Sequence, residues 1–423
     1  DAILDSGTGS LTLDKTSNLG TGNLTLIGGN GVNQNATGGI TAAGLALQGD
    51  GTFDVNNATN NVDTFAANVT GGGVTYKDAD GFTVGQVTST VTGNPDDTKT
   101  TTGLTTANKD AILDSGTGSL TLDKTSNLGT GNLTLISGDG VNQNATGGIT
   151  AAGLGLQGSG TFDLKTNATN NVQTFAAEVT GNVSMKNGGT LTIDTVTSTV
   201  GTDSKTTTGI DASGSVFAQT LTGDLVLNQP VQSQAIGKAI TLVAEDNFIN
   251  NVGKGALSAP NGNWLVYATS PAGNVNGHSV LGGSQQFNSP FPTPAGFGGN
   301  GFLYKVGAPP VPPVFPFITE PVTFDIGSLI FNDLQWRDLS GMGETVLFPA
   351  GGLLCVNLPI NQTEESSPLT DPLMGSGHNL SGFANQNRPA QGLPYVAYQW
   401  NPETCSAVRR WQREGSSHRV AKP

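Results

Sequence analysis

The scarcities of this chain exclude more than its abundances assert: in 423 residues it has two cysteines, three histidines and, before residue 308, no arginine. Cys355 and Cys405 form no CxxC, and His278, His378 and His418 stand far apart, none beside a cysteine or carboxylate at a metal-ligand spacing. A structural zinc site gathers four such ligands, so no metal and no cofactor is expected. Residues 1–307 carry 11 Lys against 22 acids, and the net charge is −14. Phosphate binding needs clustered Lys and Arg, which argues against nucleic acid as a partner. No run of 18 apolar residues is present, so the chain is not expected to span a membrane by a helix, and no signal peptide is visible. Starting at Asp1 in mid-repeat, it reads as the C-terminal fragment of something longer. Aromatics at 6% are too few for a broad globular core, while charged residues at 12% are too few for a disordered chain. The apolar side chains must therefore be stacked in a narrow core.

What is present is repetition. "DAILDSGTGSLTLDKTSNLGTGNLTLI" at Asp1 returns letter for letter at Asp110, and "VTSTV" at Val87 returns at Val196. Unit one spans 1–109 and unit two 110–209. Inside each unit, alternating runs such as Leu11–Leu13, Leu24–Leu26, Leu45–Leu47, Phe53–Val55, Val74–Tyr76 and Phe82–Val84 are separated by glycine-rich turns. Alternation of this kind marks half-buried strands, and glycine supplies positive φ in the turns between them. Leu24 to Leu45 and Phe53 to Val74 are each 21 residues, and Val62 to Phe82 is 20. The expected fold is all-β: a right-handed parallel β-helix of about twenty-residue coils, about five coils per unit, followed by an irregular C-terminal tail. A single coil cannot bury its own leucines, whereas stacked coils hide them in a ladder and leave Thr, Asn and Asp outside. Duplication then lengthens a rod.

Residues 210–307 keep the alternation but lose the repeated wording, which suits the atypical terminal coils of a solenoid. Trp264 and Tyr267 in "NWLVYATSPAG" are read as its cap, with a ligand platform as the competing reading. "APPVPPVFPF" (308–317) is a proline-rich linker that cannot join a central strand. The tail, 318–423, is a candidate surface anchor, and Cys355 with Cys405 a candidate disulfide, weighed against two unpaired thiols. Such a bridge would close a loop of about 50 residues, worth about 4 kcal/mol by loop-closure entropy.

Acids were weighed as catalysts because β-helices also house polysaccharide hydrolases and lyases. Glycoside hydrolysis needs two carboxylates about 5–9 Å apart, and stacked coils could align Asp54, Asp63 and Asp78. "KDADG" (Lys77–Gly81) and "GGNGVNQN" are also calcium candidates. Unit two replaces "KDADG" by "KNGGT" and Asp63 by Gln173, and residues 1–277 lack both Arg and His. Little remains to serve as a tuned acid or base, so these acids read as solvated surface. Asn-x-Ser/Thr triplets, Asn23, Asn35, Asn57, Asn68 and Asn167 among them, arise largely from composition. Ice binding by threonine rows is disfavoured because the Thr-x-Thr spacing varies from coil to coil.

The stretch "GGITAAGLALQGDGTFDVNNATNNVDTFAANVTGGGVTYKDADGFTVGQV" (Gly38–Val87) resembles the filamentous-haemagglutinin-like exoproteins of Gram-negative bacteria, and "GNWLVYATSPAG" (Gly262–Gly273) resembles the segment that closes their repeat region. The resemblance covers about residues 1–305. It implies a secreted or surface-exposed adhesin or structural stalk built as a long β-helix. It also implies export through an outer-membrane two-partner transporter, and binding of a host or surface receptor or glycan in place of catalysis. By the same analogy, Cys355 and Cys405 would serve retention at the transporter. A β-helical carbohydrate-active enzyme is the alternative.

Overall fold

Leucines and valines that alternate with threonine have one way to leave water when no coil is thick enough to enclose them. They line a common interior, each coil roofing the next. A computed structural model describes residues 1–93 and 95–308, together with the backbone of five short strands beyond them. The chain divides into two units, Asp1–Pro312 and Pro313–Pro423. The first is a parallel β-helix, in a chain of about 14 turns whose coils average about 21 residues. At about 4.8 Å per parallel neighbour, 14 turns make a rod of roughly 65–70 Å.

The rungs follow the spacing of the sequence. Leu24 is the cross-strand partner of Leu45, and Phe53 that of Val74. Leu24, Leu26, Leu45, Leu47, Phe65 and Ala67 are all buried in one continuous interior cluster that runs to Phe302 and Tyr304. Each fully buried Leu or Phe contributes about 1.5–3 kcal/mol relative to exposure. Two polar interior corners are satisfied by equivalent asparagines. Asn60 accepts from the Ile40 N–H at 3.0 Å and donates to the Val55 and Lys77 carbonyls and to Gln34. Asn170 repeats the arrangement in unit two with Ile149, Leu164, Lys186 and Gln143.

Two features differ from the sequence reading. Phe82 does not pair with Val62; its neighbours Thr83 and Val84 pair with Thr64 and Phe65, at an offset of 19. And the repeated "VTSTV", to which the sequence reading gave no place, stands outside the coils. Gln86–Val91 and Asp97–Thr102 form an antiparallel hairpin, as do Thr195–Val200 and Asp203–Thr208. Each hairpin is extruded from the helix and folds back over its outer face. Once it is set aside, the chain climbs in register from Leu11 through Val32, Phe53 and Val74, while Val74 pairs with Ala111. Ala111 is the counterpart of Ala2, which belongs to the neighbouring ladder with Leu24. The repeat unit is thus four coils and one face, not about five coils. Unit two is turned by one face relative to unit one, and its hairpin emerges one face further round.

At the far end, Gly262–Ala268 pairs with Gly301–Tyr304, which also pairs with Ser284–Gln286. In the second unit, Thr345–Leu347 pairs antiparallel with Leu353–Cys355, and Tyr395–Asn401, Ser406–Gln412 and Arg419–Val420 form a three-stranded antiparallel sheet. Most of the proline-rich linker and of the tail, Cys405 and the Cys355 side chain included, lies outside the described residues, and the disulfide expectation with it.

Candidate functional site

The three acids weighed as a catalytic cluster occupy three different environments. The stack above and below Asp54 is Asn33 and Thr75, not another carboxylate. Asp63 is exposed within the strand Asn61–Val69. Asp78 is buried, and both of its oxygens are used. Oδ2 accepts from the Tyr76 hydroxyl at 2.6 Å and the Val62 N–H at 3.0 Å, and Oδ1 accepts from the Asp80 and Gly81 N–H groups. Burial holds its carboxyl above the usual 3.8, against the pull of these donors. "KDADG" is therefore a structural turn organised around the buried Asp78 carboxylate, and the unit-two version fills the same corner with Asn187. That amide accepts from Val172 N–H and donates to the Val172, Gly189 and Thr190 carbonyls. The register does not align Asp54, Asp63 and Asp78, and Asp78 departs from the solvated-surface reading because it is buried.

Asp54 keeps one unusual property. Its Oδ1 is enclosed without a hydrogen-bond partner, and burial first, the Asp203 carboxylate second, push its pKa up. Asp203 belongs to the second hairpin, and it accepts from Asn56 Nδ2 at 2.8 Å. The remaining calcium candidate, "GGNGVNQN", places Gly31 at φ 88° and sends Gln34 into the interior network. Among the described residues no group of three or more His, Cys, Asp or Glu side chains is placed to hold a metal.

Two Asn-x-Thr triplets prove to be turn devices. Asn57 and Asn167 are buried; each Oδ1 accepts from the N–H and hydroxyl of the Thr two residues on, and each Nδ2 donates to a carbonyl of the preceding coil. Asn68 is exposed. Trp264 and Tyr267 part company at the end of the rod. Trp264 points inward, with its ring 5.5 Å from Phe302, while Tyr267 lies on the outer face beneath Phe291 and donates to the Thr293 carbonyl at 2.9 Å.

The hairpins are the surface feature that sequence reasoning missed. Their inner residues cover outward positions of the coils: Val87 seals Ala46 and Ala66, and Ser89 meets Thr25 at 2.8 Å, as Ser198 meets Thr134 in unit two. Asp1 and Asp110, the first residues of the repeated text, clasp them. Each accepts from the Asn N–H of its own ladder through one oxygen, and from the hairpin N–H of Thr90 or Thr199 through the other. The outer faces carry ranks of exposed hydroxyls: Thr88 with Thr100 at 2.9 Å and Thr90 with Thr98 at 3.2 Å, matched by Thr197 with Thr206 and Thr199 with Ser204. At the root of the first hairpin, Thr102, Thr105, Lys124, Asn127 and Thr146 line an open hollow of about 540 Å³, with Thr105 and Asn127 as cross-strand partners. Lys124 is paired with Asp123 at 3.0 Å, so the hollow offers hydroxyls and amides with one compensated charge. Comparison with known protein families, with curated proteins and with solved structures returned no match.

Proposed function

We propose that this protein is an adhesive or structural stalk of the filamentous-haemagglutinin-like kind, secreted or held at the outer surface of a Gram-negative cell after export by a two-partner transporter. The observation that carries the reading is the uninterrupted ladder across the unit junction, Val74 to Ala111 to Leu133, which lets copying of a unit extend the rod without a new interface. The polar hollow beside Lys124 and the hydroxyl ranks of the hairpins suit hydroxyl-rich ligands such as surface glycans, which are bound by many directional hydrogen bonds. The test is binding of the full chain to a panel of cell-surface glycans, with Thr102→Ala and Lys124→Ala variants beside it. Binding weakened by both variants supports the reading; binding to no glycan on the panel removes the adhesive part of it.

A second reading, a carbohydrate-active enzyme, draws on Asp54, whose raised carboxyl keeps one enclosed oxygen without a partner, since perturbed carboxyls gather at catalytic sites. Depolymerisation of any member of a polysaccharide panel, lost in Asp54→Asn, would favour it.

A further inference from the structure

The duplication supplies an internal comparison for two acids. Asp163, the unit-two counterpart of Asp54, has its own Lys165 at 2.6 Å. Asp97 of the first hairpin, the counterpart of Asp203 in the second, has Lys99 at 2.9 Å. Asp54 and Asp203 take part in no salt bridge among the described residues. The fold instead brings these two together, because the tip of the second hairpin carries Asp203 onto the outer face of unit one. Asn56 seats the tip there, donating from Nδ2 to Asp203 Oδ2 at 2.8 Å. Like charges held close repel, and that repulsion adds to burial in raising the Asp54 carboxyl above its ordinary 3.8.

A second observation lies one coil on. Phe53, Val55, Val74 and Tyr76 belong to the interior cluster, so Asp54 and its cross-strand partner Thr75 both face outward, toward the hairpin tip. Val200 packs there against Gly73, and Gly201 lies beside Thr52. Thr75 is only 4% exposed, and its hydroxyl, like Asp54 Oδ1, is enclosed without a hydrogen-bond partner. Two polar groups enclosed side by side in this way cost free energy that a ligand between them recovers.

We propose that the outer face of unit one and the tip of the second hairpin share a divalent-cation site fitted to calcium, with Asp54 and Asp203 as its carboxylate ligands and Thr75 Oγ1 and Asn56 Oδ1 as neutral ones. The donors are all oxygens, the hard set that calcium prefers, and water completes its shell of about six to eight. The set has two acids, not three, and neither "KDADG" nor "GGNGVNQN" takes part. The ion does for this pair what Lys165 and Lys99 do for their single acids. It also fastens the hairpin of unit two to the coils of unit one, which makes that strap calcium-dependent. The inference stands on this geometry and not on the adhesive reading.

The test titrates the full chain, stripped of divalent ions, with calcium alone, and reads binding by calorimetry and amide exchange by mass spectrometry. A Kd of about 10⁻⁴–10⁻³ M is expected, the range of weak oxygen sites. At about ten times the Kd, amides of residues 200–205 should exchange about tenfold more slowly, while those of 91–97 stay unchanged. Asp54→Asn and Asp203→Asn should each abolish the slowing and the binding that goes with it. Thr75→Val should weaken that binding severalfold, whereas Asp163→Asn and Asp97→Asn, at acids that have a lysine, should leave it intact. Calcium binding that survives both Asp54→Asn and Asp203→Asn, or a hairpin tip that calcium does not slow, overturns the proposal. So does a tip that tightens on acidification from pH 7 to 5 and ignores calcium throughout, which would make a shared proton the neutralising partner.

Discussion

Gly9 and Gly118 are the same residue of the same "DSGTGS" turn, and substituting each by alanine should give opposite outcomes. Neither has the left-handed φ that would strain a side chain by itself. A Cβ on Gly9 has Ser6 O as its nearest neighbour, at an ordinary 3.4 Å. A Cβ on Gly118 runs into the backbone carbonyl of Asp80 in the turn of the coil before it, far inside the 3.0 Å that real Cβ atoms respect. The obstacle is main chain, not the end of a flexible side chain. It is tied down by the Asp78 carboxylate and by the Thr117 N–H donating to Ala79 O at 3.1 Å, so it cannot swing away. Overpacking of this kind costs about 3 kcal/mol. Gly9→Ala instead restricts only the unfolded chain, and should stabilise by about 0.4–1 kcal/mol. Because solenoids can lose cooperativity between neighbouring coils, the measurement is urea-dependent amide exchange resolved by segment. Gly118→Ala should accelerate exchange in residues 78–82 and 115–122 and leave 1–30 unchanged. Equal effects of the two substitutions, or none from Gly118→Ala, would refute the stacking of unit two on unit one.

Three further outcomes follow from the corners and the clasps. Asp78→Ala strands the Tyr76 hydroxyl and the Val62 N–H in the interior, and at about 1–3 kcal/mol for each orphaned group the loss should reach about 3–5 kcal/mol, read as a lower urea midpoint of unit one. Replacing residues 76–82 by their counterparts 185–191 removes the buried carboxyl together with its donors. Asp78 has a folded pKa above its ordinary 3.8, so ionisation opposes folding at neutral pH; that penalty shrinks as pH falls through the folded pKa and is gone below about 3.8. The parent chain should therefore gain stability relative to the replaced one on acidification from pH 7 to 4, and a difference that is flat with pH would contradict the account. Asp110→Ala removes the acceptor of the Asn132 and Thr199 N–H groups, and should loosen the second hairpin by about 1–2 kcal/mol, seen as faster exchange confined to residues 195–208.

Much of the rod was legible because its interior is written at a fixed step. Leu24 over Leu45 and Phe53 over Val74 are residues that a reader can pair with no structure at hand. The hairpins were hidden by the same rule that revealed the coils: Val87, Ser89 and Val91 alternate with threonine as any coil strand does, and period two does not say whether the partner is parallel or antiparallel. A usable signal did exist. The runs around Ala46 and Ala66, "GLALQ" and "TFAAN", are apolar on both faces, which is what a strand covered on both sides requires. The solvated-surface reading of the acids missed Asp78 for a different reason. Stacking aligns residues by coil register and not by likeness, so Asp54 met Asn33 and Thr75, and Asp78 turned inward to organise a corner. Asp1 and Asp110 carried no recognisable motif, and their role as clasps depends on a hairpin about 89 residues further along the chain.

The central claim is that unit two continues the ladder of unit one once the hairpin is set aside, and one pair of positions tests it directly. Thr83 and Thr121 are 38 residues apart but are cross-strand partners through the junction, while Asn142 lies one coil beyond Thr121. Cysteines placed at 83 and 121, in a chain with Cys355 and Cys405 replaced by serine, should close a disulfide under mild oxidation, since neighbouring parallel strands hold Cα atoms within the roughly 4.4–6.8 Å that the bond spans. Cysteines at 83 and 142, two coils apart at about 9.6 Å, should not. A bridge between 83 and 142, or none between 83 and 121, would contradict the coaxial rod.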